Sequence, residues 1–195
     1  MVSDIAPAAD IVQETGVPLE VYAFSGSSPI RQYAEEWDLA FIEKQSVEAI
    51  SFGVRHGLDV TYVTEDTTRS KPDDLRRLFT SAIAAGAKRL CLCDTVGHAT
   101  PEGAAALVRF ARSVAGPSIG LDWHGHNDRG LALANALAAG AAGATRLHGC
   151  AAGIGERVGI AAAAGLANGV LARAKTSSRT LTEGEVSQIV RELRG

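Results

Sequence analysis

The sequence has no excess of basic residues. Of its 195 residues, 19 are Lys or Arg and 22 are Asp or Glu, a net charge of −3. Such a balance provides no cationic field for nucleic acid or an anionic membrane surface. Long apolar runs are also missing, so no bilayer-spanning helix is predicted, and the first residues do not resemble a signal peptide. Cysteine is scarce, with only Cys91, Cys93 and Cys150. An odd set, two of them inside an apolar run, reads as small buried residues and not as a bridge, and a reducing cytoplasm is the expected setting. No charged neighbour marks Cys150 as an activated thiol. There is no Gly-Lys-Ser/Thr stretch, which excludes a P-loop. Linkers and low-complexity tracts are absent, and the length suits one domain with its own core.

What the chain does have is alternation. Short apolar runs at 19–24, 60–63, 89–93, 119–123 and 146–148 read as strands. Each is followed by a helical pattern, and the strand starts lie roughly 25 to 40 residues apart. A further helix is predicted over 1–15, stopped by Gly16 and Pro18. Ser28 and Pro29 suit the N-cap and first position of a helix, and Thr182 with Glu185 has capping-box spacing near the end of the chain. A run of βα units demands a parallel sheet covered by helices. The polar and glycine-rich segments all follow strands, whereas the helix-to-strand turns are short and plain. That asymmetry predicts a barrel or an open α/β sheet with one functional face.

The stretch Leu121-Asp122-Trp123-His124-Gly125-His126-Asn127-Asp128-Arg129-Gly130 is the densest of these outlets. Residues two apart on a strand share a face, so His124 and His126 point together, and neutral imidazole is a common ligand of divalent metals. Two histidines in a solvated turn is the plainer alternative. The other outlets also have two readings each. Glu65 and Asp66 could cap the following helix. Thr95 could be a turn residue, and His98 a loop histidine. Gly153, Gly155 and Gly159 could form a plain turn or let the backbone approach a phosphate. Glu156 and Arg157 could be a self-satisfying ion pair bracing their loop. All of them fall on one rim, a concentration that separate structural roles do not explain.

The stretches His124-Gly125-His126-Asn127-Asp128-Arg129-Gly130-Leu131-Ala132 and Gly153-Ile154-Gly155-Glu156-Arg157-Val158-Gly159 together resemble the paired signatures of the DRE-TIM metallolyases. The branch they look most like is that of 2-isopropylmalate synthase and homocitrate synthase. Ser27-Ser28-Pro29-Ile30-Arg31-Gln32-Tyr33, Glu65-Asp66-Thr67-Thr68-Arg69-Ser70 and Asp94-Thr95-Val96-Gly97-His98-Ala99-Thr100-Pro101 are similar to further segments of that group, in the same order. The resemblance implies a (β/α)8 TIM barrel with its site at the C-terminal rim, of which this chain would supply about five βα units. The implied reaction joins acetyl-CoA, or another acyl-CoA, to a 2-oxo acid, giving a 2-alkylmalate-type acid. A lyase of the 3-hydroxy-3-methylglutaryl-CoA type is the related alternative. By the same resemblance His124 and His126 would bind a divalent metal (Mg²⁺, Mn²⁺ or Zn²⁺), Glu65 would be the catalytic residue near the acyl-CoA reaction centre, and Thr95 would bind the oxo acid's carboxylate. Arg31 stands where many relatives have a substrate-binding histidine, and it could pair with a carboxylate.

Three departures shape the expectation. Nothing matches the family's Asp-Arg-Glu segment, which carries a metal aspartate and a catalytic arginine, so the match begins just before the fourth barrel strand. The place of the family's metal asparagine is Ile160, which has no donor atom. The family's accessory domains have no counterpart either. The expectation is therefore an incomplete barrel domain over 1–174 with a helical extension over 175–195. Its metal would be weakly held, because hard ions prefer oxygen ligands, and the chain would be inactive alone. Activity would need a complementary N-terminal polypeptide or a homo-oligomer. The strands holding Val21–Phe24 and Arg146–His148 would be open edges.

Overall fold

The computed structural model describes residues 1–176. An N-terminal helix, α1 (Val2–Thr15), leads into β1 (Glu20–Gly26), α2 (Pro29–Glu35) and α3 (Leu39–Arg55). There follow β2 (Asp59–Glu65), a 3-10 turn at Thr67–Arg69, α4 (Pro72–Ala84), β3 (Arg89–Asp94) and α5 (Pro101–Ala115). The described chain closes with β4 (Gly120–Gly125), α6 (Ala132–Ala141), β5 (Arg146–Leu147) and α7 (Ala163–Thr176). The strands form one parallel sheet in the order β1-β2-β3-β4-β5, so β1 and β5 are its edges, as the sequence predicts. The boundary expected at 174/175 falls inside α7, and the helix expected after Thr182 lies outside the described residues.

Local chemistry sets the boundaries. Ser28 caps α2, its hydroxyl accepting the Arg31 N–H at 3.3 Å with Pro29 at the first helical position. The segment from Pro29 to Arg55 is two helices, because Glu36 adopts the left-handed conformation (φ 54°) and Asp38 opens a new cap, accepting the Phe41 N–H at 2.7 Å. β4 runs two residues further than the apolar run suggests, so His124 lies within the strand. β5 is short, but the His148 N–H still donates to the Trp123 carbonyl at 3.0 Å.

Alternation sorts each strand between two faces. Val60, Tyr62, Leu90, Leu92, Leu121 and Trp123 point outward into the helices, where they are buried with Leu78, Phe79 and Val108. Each fully buried large side chain contributes about 1.5–3 kcal/mol over exposure. The other parity lines the inner, concave face in tiers set by the strand register. Phe24, Val63, Cys91, Asp122 and Arg146 form one tier, with Glu65, Cys93, His124 and His148 above it. Cys93 beside it and burial both push the Cys91 thiol up, so it stays a protonated wall residue.

The concave face is cross-braced by charge. Arg146 of β5 reaches across to β1, donating to Glu20 at 2.9 Å and to the Tyr22 hydroxyl. Tyr22 donates to Asp122 at 2.7 Å, and Arg89 donates to the other Asp122 oxygen at 2.7 Å. Glu20 also accepts from Thr61 at 2.6 Å. The two edge strands, 126 residues apart at Glu20 and Arg146, are thus tied over the curled sheet. Asp122 is wholly buried. Burial alone would raise its pKa, but hydrogen bonds from His148, Arg89 and Tyr22 outweigh that and hold it at about 2.

Asp122 therefore adds stability that is fully present above its ordinary value of 3.8 and is lost as pH falls through about 2. We expect Asp122→Asn to lower the unfolding free energy by about 2 kcal/mol at neutral pH, the worth of such a shift. Urea melts should show that gap closing between about pH 4 and pH 2. A pH-independent gap would remove the carboxylate's charge from the role. The open β1 and β5 edges lead us to expect self-association of the isolated chain, measured by sedimentation, with a monomer at all concentrations as the contrary result.

Candidate functional site

The sequence-predicted residues sit at the carboxyl ends of the strands, on the concave side. Parity and register put Glu65 of β2 and His124 of β4 in the same tier with β3 between them, roughly 10 Å apart at two strand spacings. His124 and His126 converge as expected, with Nε2 atoms 3.4 Å apart and rings edge to face. Two ligands each ~2.0–2.1 Å from one tetrahedral ion stand about 3.3–3.4 Å apart, so the pair fits two positions of a Zn²⁺-type centre. Burial first, then His148 and His126, push the His124 pKa down to about 4, which keeps its ring neutral and its lone pair free at ordinary pH. His126 is buried, and its Nδ1 has no hydrogen-bond partner. Glu156 approaches His126 Nε2 at 3.6 Å from an exposed position. Among the described residues, no group of three or more His, Cys, Asp or Glu side chains converges on one metal position.

Sequence reasoning missed the support behind this pair. His148 lies with its Nδ1 3.2 Å from His124 Nδ1 and its Nε2 3.6 Å from Asp122 Oδ2. The parity that pairs His124 with His126 also places Asp122 on that face, and it was legible. The partnership with His148 depends on the β4–β5 register, which a two-residue strand does not announce.

The other candidates are held by each other. Arg31 stands 3.4 Å from Glu65 and 3.0 Å from Glu35, so it neutralises the predicted catalytic carboxylate. The Thr95 hydroxyl accepts the Asp66 N–H at 2.8 Å, which leaves its own proton free to donate. Asp66 does not cap the next helix. It is buried with φ 61° and pairs with Arg69 at 2.7 Å. Asp94, also buried, accepts from the backbone of His98 and Ala99 at 3.1 Å each and thereby shapes the loop after β3.

The glycine-rich loop is a folded turn. A Cβ on Gly159, whose φ is +77°, would meet the Gly153 carbonyl oxygen at 1.8 Å. Its carbonyl accepts the Asn127 N–H at 3.0 Å, and Ile160 bridges to His126, so the loop closes over the second histidine. Arg157 spends little on its neighbour: Glu156 lies 3.5 Å away, while Arg157 donates to the Thr95 carbonyl at 2.7 Å and to Asp128 at 3.0 Å. The self-satisfying pair expected from sequence is thus a brace spanning three loops.

Imidazoles at the carboxyl ends of parallel strands, on the inner face of a curled sheet packed outside by helices, define a barrel-type α/β protein with its candidate site at the C-terminal rim. The chain belongs to the HMGL-like family, whose model matches residues 2–190. It is 46% identical over 105 residues to a putative (R)-citramalate synthase of Methanothermobacter thermautotrophicus, covering 54% of this chain and 21% of that protein. It is 37% identical over 139 residues to the mitochondrial homocitrate synthase of Penicillium rubens, covering 71% of this chain and 29% of that protein. The chain thus spans under a third of these relatives' length. In fold it is similar to the HMG-CoA lyase of Bacillus subtilis, with a TM-score of 0.72 and 18% identity over 96% of this chain and 65% of that one.

Arg157→Met removes charge-assisted hydrogen bonds that hold the glycine loop. The Asn127 amide should then exchange with solvent about tenfold faster, the worth of one such bond. Hydrogen exchange followed by NMR reads this, and unchanged protection would mean that the turn stands without the brace.

Proposed function

We propose that this chain carries the metal- and oxo-acid-binding part of a Claisen-type condensing site. The reaction would join an acyl-CoA to a 2-oxo acid and then cleave the resulting thioester with water, giving a 2-alkylmalate-type acid and free CoA. The convergence of His124 and His126 at 3.4 Å carries the reading. The named activities of the sequence relatives, citramalate and homocitrate synthesis, support the substrate class. A divalent cation held by the pair would polarise the oxo acid's carbonyl. Nitrogen-only donors favour Zn²⁺ or Co²⁺ over Mg²⁺.

The chain's own groups divide the rest. Thr95 donates its free hydroxyl proton to the substrate carboxylate. Glu65 faces the acyl methyl group and, freed from Arg31 by substrate, takes its proton. Arg31 is then released to pair with a carboxylate. The remaining donors come from a further polypeptide segment against an open sheet edge, as the unpaired flanks of β1 and β5 suggest. Electrostatic groups of this kind are each worth about 10²–10³ in rate, so the described groups alone fall short of turnover.

A free-thiol assay with acetyl-CoA and a panel of 2-oxo acids tests this. The lone chain with Zn²⁺, Co²⁺ or Mg²⁺ should release no CoA. Adding a polypeptide with the family's Asp-Arg-Glu segment should give release that His124→Ala abolishes. Steady release by the lone chain, lost in His124→Ala, would overturn the incomplete-site reading. No release in any combination would overturn the condensing function.

A further inference from the structure

We propose that His148 is a positioning residue, which with Asp122 fixes the tautomer and ring orientation of His124 so that its Nε2 lone pair faces His126. The inference rests on the metal-binding reading of the histidine pair and concerns two residues behind it, Asp122 on the same strand as His124 and His148 just past the end of β5.

With both rings neutral, the geometry leaves one consistent arrangement of protons. Asp122 is wholly buried and paired with Arg89 at 2.7 Å through one oxygen, so it is a carboxylate and can only accept. Its other oxygen takes the Tyr22 proton at 2.7 Å and faces His148 Nε2 at 3.6 Å. His148 therefore carries its proton on Nε2, and in the neutral ring Nδ1 is then an acceptor. That Nδ1 stands 3.2 Å from His124 Nδ1, which must be the N–H donor of the contact. The His124 lone pair is thereby confined to Nε2, 3.4 Å from His126 Nε2. With both rings neutral, reversing either one would set two protons or two lone pairs against each other in a buried contact.

The two site histidines are thus unequal. His124 is held from behind, whereas His126 has a buried Nδ1 with no partner. Ligating histidines ordinarily donate the second ring nitrogen to a carboxylate or carbonyl, and here an imidazole relays between ligand and carboxylate. A ligand role for His148 is the competing assignment, but its Nδ1 meets the far side of the His124 ring from the Nε2 pair.

Two measurements decide it. In the wild-type chain, imidazole ¹⁵N shifts should show His124 protonated on Nδ1 and His148 on Nε2. His124 protonated on Nε2 would overturn the relay, and this arm needs no variant to fold. The second arm titrates Co²⁺ and follows its visible absorption. His148→Leu should lose about 10- to 100-fold in affinity, the usual effect of removing an outer partner. His148→Gln can accept from His124 and donate to Asp122, so it should stay within about threefold of wild type. A Leu variant that binds as tightly as wild type, or a Gln variant as weak as Leu, would overturn the positioning role. A wild-type chain that binds no Co²⁺ would sink the metal-binding reading itself, and the ¹⁵N tautomers would still decide the relay.

Discussion

The buried carboxylate of Asp122 organises the concave side of this molecule. Among the described residues the five parallel strands have no closing partner, and a sheet of that kind has no hydrogen-bond ladder to hold its two edges at a fixed distance. Here the distance is set by side chains that meet over Asp122: Arg89 from one side, Tyr22 from β1, Arg146 from β5 and His148 just after it. Taking a carboxylate out of water costs several kcal/mol, and only a full set of donors offsets it. The set is complete only when the sheet is curled, so the same interaction that stabilises the carboxylate also specifies the curvature.

The site inherits its geometry from that curvature. His124 sits one tier above Asp122 on the same strand, with His148 beside it on the next. The loops at the rim are then assembled by backbone contacts, such as the His126 N–H donating to the Asp94 carbonyl at 3.1 Å and Asn127 to Gly159 at 3.0 Å. Folding energy comes from the helix-covered outer face, while chemical groups occupy the inner one. Alternation along each strand is what keeps the two tasks on separate residues.

Much of this was legible in sequence because the relevant signals are local. The βα rhythm, the Ser28 cap and the shared face of His124 and His126 follow from periods of two and 3.6 and from capping chemistry. The resemblance of the two signature stretches added the family. What stayed hidden depends on contacts distant in the chain. Arg146 bonding Glu20, and His148 meeting His124, are fixed by strand register and curl, which no short window encodes. Arg157 was read against its neighbour Glu156, whereas its partners are 29 and 62 residues away at Asp128 and Thr95. The break at Glu36 escaped notice because a single left-handed residue leaves the helical pattern on either side intact.

The Arg157 brace also has a mechanical meaning. One guanidinium grips the loop after β3 through Thr95 and the loop after β4 through Asp128, while its own loop packs over His126. Three segments that would otherwise fluctuate separately share a single fastening. The residue assigned to the carboxylate of a substrate and those assigned to its carbonyl are therefore carried on one stiff jaw. Displacing either loop would move the other with it, so the spacing between Thr95 and the residues after His126 is held by one side chain.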